Sequence, residues 1–141
     1  MWPSCSERFF KKKVKKYDAI LCSHVLEHQE NILIFLDKIY NSLKENGYLC
    51  ILVPPRKPFI ISGHVNLFNP GLLLYRLILS KMNCKKAQVV SYDYNICIIL
   101  KKKSIKLPKI LKLDADTLDF LFFRKFSYFI NNDGMLLIFS I

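Results

Sequence analysis

The fold of this chain is constrained most by residues 17–54, in which two short apolar segments flank one amphipathic segment. Residues 17–22 and 47–53 have the length and the β-forming side chains of buried strands. Between them, apolar residues recur at helical spacing, so we expect one face of a helix to pack on a sheet. The residues of this stripe are Ile32, Phe35, Leu36, Ile39, Tyr40 and Leu43.

This order of elements predicts a βαβ unit, in which the two strands are parallel neighbours. We expect the helix to end at Asn46-Gly47, because glycine adopts the left-handed conformation at low cost. Pro54 ends the second strand. The three prolines in residues 54–68 predict a loop at the carboxyl end of that strand.

A second helix and a hairpin are predicted after this loop. Asn69 and Pro70 are typical of a helix start. Residues 71–82 are apolar on nearly all sides, so this helix should be buried against more than one partner. Residues 87–92 and 95–100 are strand-like runs separated by a short polar break, which predicts a hairpin.

Several short motifs occur in an order that resembles a known family. They are YDAILCSHVLEH, then a helix, NGYLCILVPP, and GHVNLF followed by another helix. Over about residues 15–102 the chain resembles the second half of a class I S-adenosylmethionine-dependent methyltransferase, whose fold is a seven-stranded doubly wound sheet. The resemblance implies an α/β, partial Rossmann-like methyltransferase fold, with a mixed sheet of about four strands and flanking helices.

The resemblance divides the chain into a basic lead-in, 1–16, a partial methyltransferase-like domain, 17–103, and a C-terminal extension, 104–141. In the extension, we favour a helix from Asp114 to about Ile130, then a turn and a short strand. The alternative is two strands, 125–130 and 135–141, around Asn-Asp-Gly, which is a strong hairpin signal.

Two parts of the family's cofactor site are missing from the sequence. In that family, a Gly-rich loop holds the methionine end of S-adenosylmethionine, and an acidic residue after the second strand holds the ribose. The chain has four glycines, and no two are close enough for a G-x-G turn. The 16 residues before Tyr17 are too few for three strands and their helices. We therefore expect a truncated domain, impaired as an isolated chain, whether the truncation is biological or an artefact of gene prediction.

Composition bounds the class of protein. The 141 residues allow one domain with a modest core. No stretch reaches about 18 consecutive apolar residues, and the first residues do not resemble a secretory signal. None of the five cysteines form a C-x-x-C pair, and three lie in apolar strands. They are typical of reduced, buried thiols, so we expect a cytoplasmic protein without a membrane span.

The net charge of +11 comes mainly from lysines clustered in residues 11–16, 85–86 and 101–112. A nucleic-acid face is one interpretation, and a solvated lysine surface is the other. Base readout favours arginine, which is scarce here, and we see no basic groove interleaved with aromatic residues. We therefore favour the solvated surface and expect no nucleic-acid partner.

Ligands of open α/β sheets bind at the carboxyl ends of the strands. By resemblance, Cys22, Ser23 and His24 would lie along the methionine part of S-adenosylmethionine. The sulfonium of this cofactor is a good leaving group, so the protein mainly aligns the acceptor for in-line attack.

A base would assist methyl transfer to a hydroxyl acceptor, and the candidates are His28, Glu27 and His64. The alternative for Glu27 and His28 is to cap and orient the next helix. Arg56 and Asn66 are candidate substrate-binding residues. The alternatives are a solvated cation for Arg56, and a loop held by hydrogen bonds for His64 and Asn66.

Residues 24–28 also spell H-x-x-E-H, the signature of inverted zinc metallopeptidases. That chemistry needs both histidines on one helical face, together with a third ligand. Here the motif directly follows a strand, and no acidic third ligand stands out. We therefore favour a site without metal, in which neither His24 nor His28 is a ligand.

The sequence thus predicts S-adenosylmethionine-dependent methyl transfer to a small molecule or glycan. A second hypothesis is a non-catalytic binding or assembly module derived from a methyltransferase. Because the strand at residues 17–22 lacks its usual neighbour on one side, we expect self-association, or a partner chain, through an exposed sheet edge.

Overall fold

The computed structural model describes residues 15–57, 59 and 63–106, and the backbone of 126–130 and 136–140. A 3-10 turn at Leu26–His28 precedes the first helix. The two helices are α1, Ile32–Ser42, and α2, Pro70–Leu79. The strands are β1, Tyr17–Ser23; β2, Leu43–Val53; β3, Gln88–Tyr92; β4, Asn95–Lys101; β5, Phe126–Ile130; and β6, Leu136–Ser140.

The strands of the described residues form one mixed sheet in the order β1-β2-β4-β3-β6-β5. The β1 and β2 strands are parallel, and every other pairing is antiparallel. This confirms the α/β class, the βαβ unit and the β3–β4 hairpin. The β5–β6 hairpin extends the sheet beyond the four strands that were expected.

The favoured helix of the C-terminal extension is wrong for residues 126–130, which form strand β5. The alternative hairpin is present there, because β6 pairs with both β5 and β3. β-Forming side chains on both sides of an Asn-Asp-Gly sequence favour this arrangement. The rest of the expected helix, 114–125, and residues 1–14 of the lead-in lie outside the described residues.

Both helices and one face of strands β1 to β4 contribute to a hydrophobic core among the described residues. In α1, Leu36 and Ile39 are fully buried, as predicted from the apolar stripe. Helix α2 begins as predicted, since the Asn69 side chain accepts a hydrogen bond from the Leu72 amide at 2.8 Å. Its buried residues are Leu73, Leu74, Leu77 and Ile78. The remaining α2 side chains are mostly half-buried.

The boundary between α1 and β2 differs from the prediction. The helix ends at Ser42, and the strand begins at Leu43, before the expected Asn46-Gly47 stop. Asn46, not Gly47, has a positive φ of 65°. Gly47 is needed for a close approach, because a Cβ there would lie 2.9 Å from the Asp18 carbonyl oxygen. The β1–β2 register shifts at this point, which explains why two strands meet so closely.

Within the described residues, strand β1 forms one edge of the sheet, since it pairs only with β2, and β5 forms the other. The Leu21 side chain of β1 is 68% exposed on the face opposite the helices. Leu21 aligns with Cys50, and Cys50 aligns with Ile99, which is 40% exposed. This row of side chains forms an apolar strip across the outer face. Among the described residues, no helix is long and apolar enough to cross a membrane.

Candidate functional site

The carboxyl ends of β1 and β2 lie beside two other segments. Because these strands are parallel, Ser23 and Val53 end at the same edge of the sheet. Strand β4 is antiparallel to β2, so its first residue, Asn95, starts at that edge too. The other segment is the loop at 63–68. It is held beside the β2 end by a bridge between Pro55 and Phe68.

The predicted cofactor-binding residues separate into one core residue and two surface residues. The Cys22 side chain belongs to the hydrophobic core, and its burial raises the pKa of the thiol to about 12. Its side chain therefore packs on the helix side of the sheet, among apolar side chains. Ser23 is exposed. His24 is also exposed, with a positive φ of 50°, and its amide donates to the Leu52 carbonyl at 3.0 Å.

Glu27 lies at the centre of the site and is fully buried. Its backbone carbonyl accepts hydrogen bonds from the amides of Val65, at 2.9 Å, and Asn66, at 3.1 Å. This pair of bonds fixes the 63–68 loop to the 3-10 turn. Within the described part of the chain, neither oxygen of the Glu27 side chain accepts a hydrogen bond. The residue therefore organises the loop through its backbone.

Two histidine rings flank this carboxylate. The Nδ1 of His24 lies 3.3 Å from Glu27 Oε1, and the Nε2 of His28 lies 3.8 Å from the same oxygen. The opposite nitrogen of each ring is engaged elsewhere. His24 Nε2 donates to Asn95 Oδ1 at 3.0 Å, and His28 Nδ1 donates to the Gly63 carbonyl at 2.7 Å.

Gly63 allows this last contact. It has a φ of 77°, and an added Cβ would lie 3.3 Å from His28 Nδ1.

His64 completes the cluster. Its ring is packed edge-on against His28, with centroids 4.9 Å apart. One ligating atom from each of Glu27, His28 and His64 lies within 4.8 Å of the other two. The structure therefore brings together the three residues predicted as catalytic. It does not form the metallopeptidase arrangement, because residues 24–28 comprise a bend and a 3-10 turn instead of an α-helix.

The two predicted substrate-binding residues have different positions. The Asn66 side chain donates to the Gln29 carbonyl at 2.5 Å and to the Leu26 carbonyl at 3.4 Å. These bonds hold the loop, which is the alternative considered for this residue. Arg56 is exposed, and its backbone amide donates to the Phe68 carbonyl at 2.7 Å.

A small cleft opens next to His64, and it contains residues that the sequence did not single out. Its lining comprises Pro54, Pro55, Lys57, Phe59, His64, Asn66, Leu67 and Tyr94. The Lys57 ammonium lies 4.0 Å from the centroid of the Tyr94 ring, a cation–π contact that fixes both side chains. In the sequence, a signal for Tyr94 was its position beside Asp93 in the short break between the two strand-like runs.

A comparison with known protein families identifies a match. A family model described as a methyltransferase domain matches residues 4–89, which is more than half of the chain. The matched segment contains β1, both helices and β2. No curated protein matches the chain significantly.

Proposed function

Because this chain belongs to the methyltransferase-domain family, we propose that it takes part in S-adenosylmethionine-dependent methyl transfer to a small molecule or glycan. The observation that carries the proposal is that the family match includes both strand ends that form the candidate site. Ligands of open α/β sheets bind at such ends. The cleft beside His64 then offers a place for the acceptor.

The described residues fit only part of the cofactor. Ser23 and His24 are accessible at the end of β1, where the resemblance puts the methionine moiety. For the ribose, the acidic side chains that the described residues offer at this edge of the sheet include Glu27, which is buried among the histidines, and Asp93, which is exposed in the β3–β4 turn. When bound, S-adenosylmethionine would supply an activated methyl group. We therefore propose that the isolated chain binds it weakly.

The histidine cluster is suited to manage the proton of a hydroxyl acceptor. The Gly63 carbonyl can only accept a hydrogen bond, so it fixes the proton of a neutral His28 ring on Nδ1. The Nε2 atom of His28 is then free to accept a proton from an acceptor in the neighbouring cleft. Glu27, 3.8 Å from that nitrogen, would stabilise the resulting positive charge.

Weak binding calls for a method that resolves sites at high ligand concentration. We propose to titrate ¹⁵N-labelled protein with S-adenosylmethionine and follow the amide shifts. Shifts should be confined to Ser23, His24 and their neighbours, with a Kd in about the millimolar range. A Ser23→Trp variant should reduce them, whereas Ser91→Trp, on β3, should not. Uniform shifts, or none, would argue against the proposed site, and micromolar affinity would contradict the weak-binding proposal.

A further inference from the structure

We propose that Glu27, His28 and His64 bind a divalent first-row transition-metal ion, for which Zn²⁺ is the probe. The proposal rests on three independent features of the cluster: a buried carboxylate without a hydrogen bond, a histidine held in one orientation by the backbone, and a third ligand delivered by a loop. Metal binding itself requires no cofactor, so the site can be tested whether or not the chain transfers methyl groups.

The first feature is the burial of Glu27. Its side chain has no exposed surface, and both carboxylate oxygens lack hydrogen-bond donors within the described residues. Removing a carboxylate from water is expensive unless it is paired or coordinates a metal. A closed network of hydrogen bonds is therefore missing here, and the carboxylate has the rings of His24, at 3.3 Å, and His28, at 3.8 Å, as its ion-pair partners. A cation on this carboxylate supplies the missing compensation.

The second feature is the arrangement of the imidazole rings. His28 donates Nδ1–H to the Gly63 carbonyl, so its Nε2 faces Glu27 Oε1 at 3.8 Å. His24 faces the same oxygen with Nδ1 at 3.3 Å, but its ring lies outside the cluster of three ligating atoms. A metal ion held by Nε2 of His28 and the Glu27 carboxylate would join these two groups across the gap between them. Metal-bound histidines characteristically donate their other N–H to a backbone carbonyl or carboxylate, as His28 does here.

The third feature is the position of His64, which lies on a loop fixed to Glu27 by two backbone hydrogen bonds. The three ligating atoms lie within 4.8 Å of one another, so side-chain rotations that bring them closer would allow bond lengths of about 2.0–2.2 Å to one ion. Two histidines and one carboxylate suit zinc and related dications. The side chain of His28 is 44% exposed, so the ion would retain open coordination positions.

This site differs from the metallopeptidase considered from the sequence, and it replaces our expectation of a site without metal. That expectation looked for both histidines of residues 24–28 on one helix, plus an acidic third ligand. The structure instead provides a third ligand from His64 and gives His24 a partner in Asn95. If the proposed methyl transfer is correct, an acceptor hydroxyl in the cleft beside His64 would occupy an open position of the ion. The ion, in place of His28 Nε2, would then favour deprotonation of that hydroxyl.

The test is calorimetric titration of tag-free, chelator-treated protein with Zn²⁺, repeated with Co²⁺ and followed by its visible absorption. His64→Ala and His28→Ala should each weaken binding by about 100-fold or more, and Glu27→Gln similarly if it folds. His24→Ala is the matched control, since its side chain is exposed to nearly the same extent as that of His28, 45% against 44%. It should weaken binding by less than about tenfold. Circular dichroism of each variant verifies that it is folded.

Binding through cysteine is the main competing outcome, and Co²⁺ reports it by intense thiolate charge-transfer absorption. A Cys50→Ser/Cys97→Ser variant should bind Zn²⁺ as the parent does. Absence of micromolar binding, equal binding by His64→Ala, or thiolate bands that vanish in the cysteine variant would each overturn the site. Any of these results leaves the proposed binding of S-adenosylmethionine unaffected, because that is measured separately by the amide shifts in metal-free buffer.

Discussion

The ammonium of Lys102 donates a hydrogen bond to the backbone carbonyl of Leu43 at 2.8 Å. It also donates to the Tyr40 carbonyl and lies 3.8 Å from the centroid of the Tyr40 ring. These carbonyls belong to the C-terminal end of α1, where a positive charge is favoured by the helix dipole. Burial lowers the pKa of Lys102, and the neighbouring Lys16 lowers it further.

We expect Lys102→Met to destabilise the protein by about 1–3 kcal/mol, because it leaves two buried carbonyls without a donor. Lys103→Met is the control, since Lys103 is exposed, and it should change stability by less than about 0.5 kcal/mol. Urea unfolding measures both. Equal effects of the two substitutions would show that the bonds of Lys102 contribute little.

Leu36 tests the packing of α1. It is fully buried, so Leu36→Ala should cost about 2–5 kcal/mol of unfolding free energy. On the same helix, Leu33 is 41% exposed, and Leu33→Ala should have a much smaller effect. Chemical denaturation of the pair measures the difference. A loss below about 0.5 kcal/mol for Leu36→Ala would contradict the assigned face.

The thiols should differ in reactivity. Burial raises the pKa of both Cys22 and Cys84 to about 12, so almost no thiolate forms at pH 8 in the folded state. Cys50 is only half-buried on the outer face of the sheet. We expect iodoacetamide to label Cys50 well before Cys22 or Cys84, as followed by peptide mass spectrometry. Faster labelling of Cys84 than of Cys50 would mean that α2 opens readily.

Because the pKa values of the Cys22 and Cys84 thiols are raised in the folded state, we expect the protein to lose stability at alkaline pH. The folded chain holds these protons up to about pH 12, whereas a thiol with the ordinary value releases its proton near 9.0. Unfolding therefore releases protons in this window, and stability falls as pH rises from about 9 towards 12. Their contribution is complete below pH 9. Urea midpoints at several alkaline pH values test this, and a Cys22→Ala/Cys84→Ala variant should have a shallower dependence.

A substitution of Leu21, which is exposed on the edge strand β1, tests whether this edge mediates self-association. We propose that β1 and the outer apolar strip mediate self-association, because an unpaired edge beside apolar surface favours pairing with another chain. Leu21→Lys should lower the apparent mass in light scattering at high protein concentration. Leu33→Lys, which changes an exposed leucine on the helix side, should not. A parent protein that is monomeric at all concentrations would refute the proposal.

Local sequence determined most elements before β5. The helical stripe, the Asn69 cap and the apolar strand segments predicted β1, the two helices and the β3–β4 hairpin, because each signal depends on residues within one or two turns. The signal failed at Asn46-Gly47, where glycine serves the close approach of β1 and β2 and not a helix stop. That requirement arises between strands, so it is absent from any short window of sequence.

The candidate site depends on both the local sequence and the tertiary structure. Sequence adjacency alone placed Glu27 beside His28, and the rule that ligands bind at strand ends pointed to the edge of the sheet where the candidate residues lie. Only the tertiary structure decided which neighbours join them. The antiparallel register of β4 brings Asn95 to His24, and two hydrogen bonds to the Glu27 carbonyl bring in His64. Burial of the Glu27 carboxylate and of the Cys22 thiol was likewise decided by packing, because residues distant in the chain exclude the water around them.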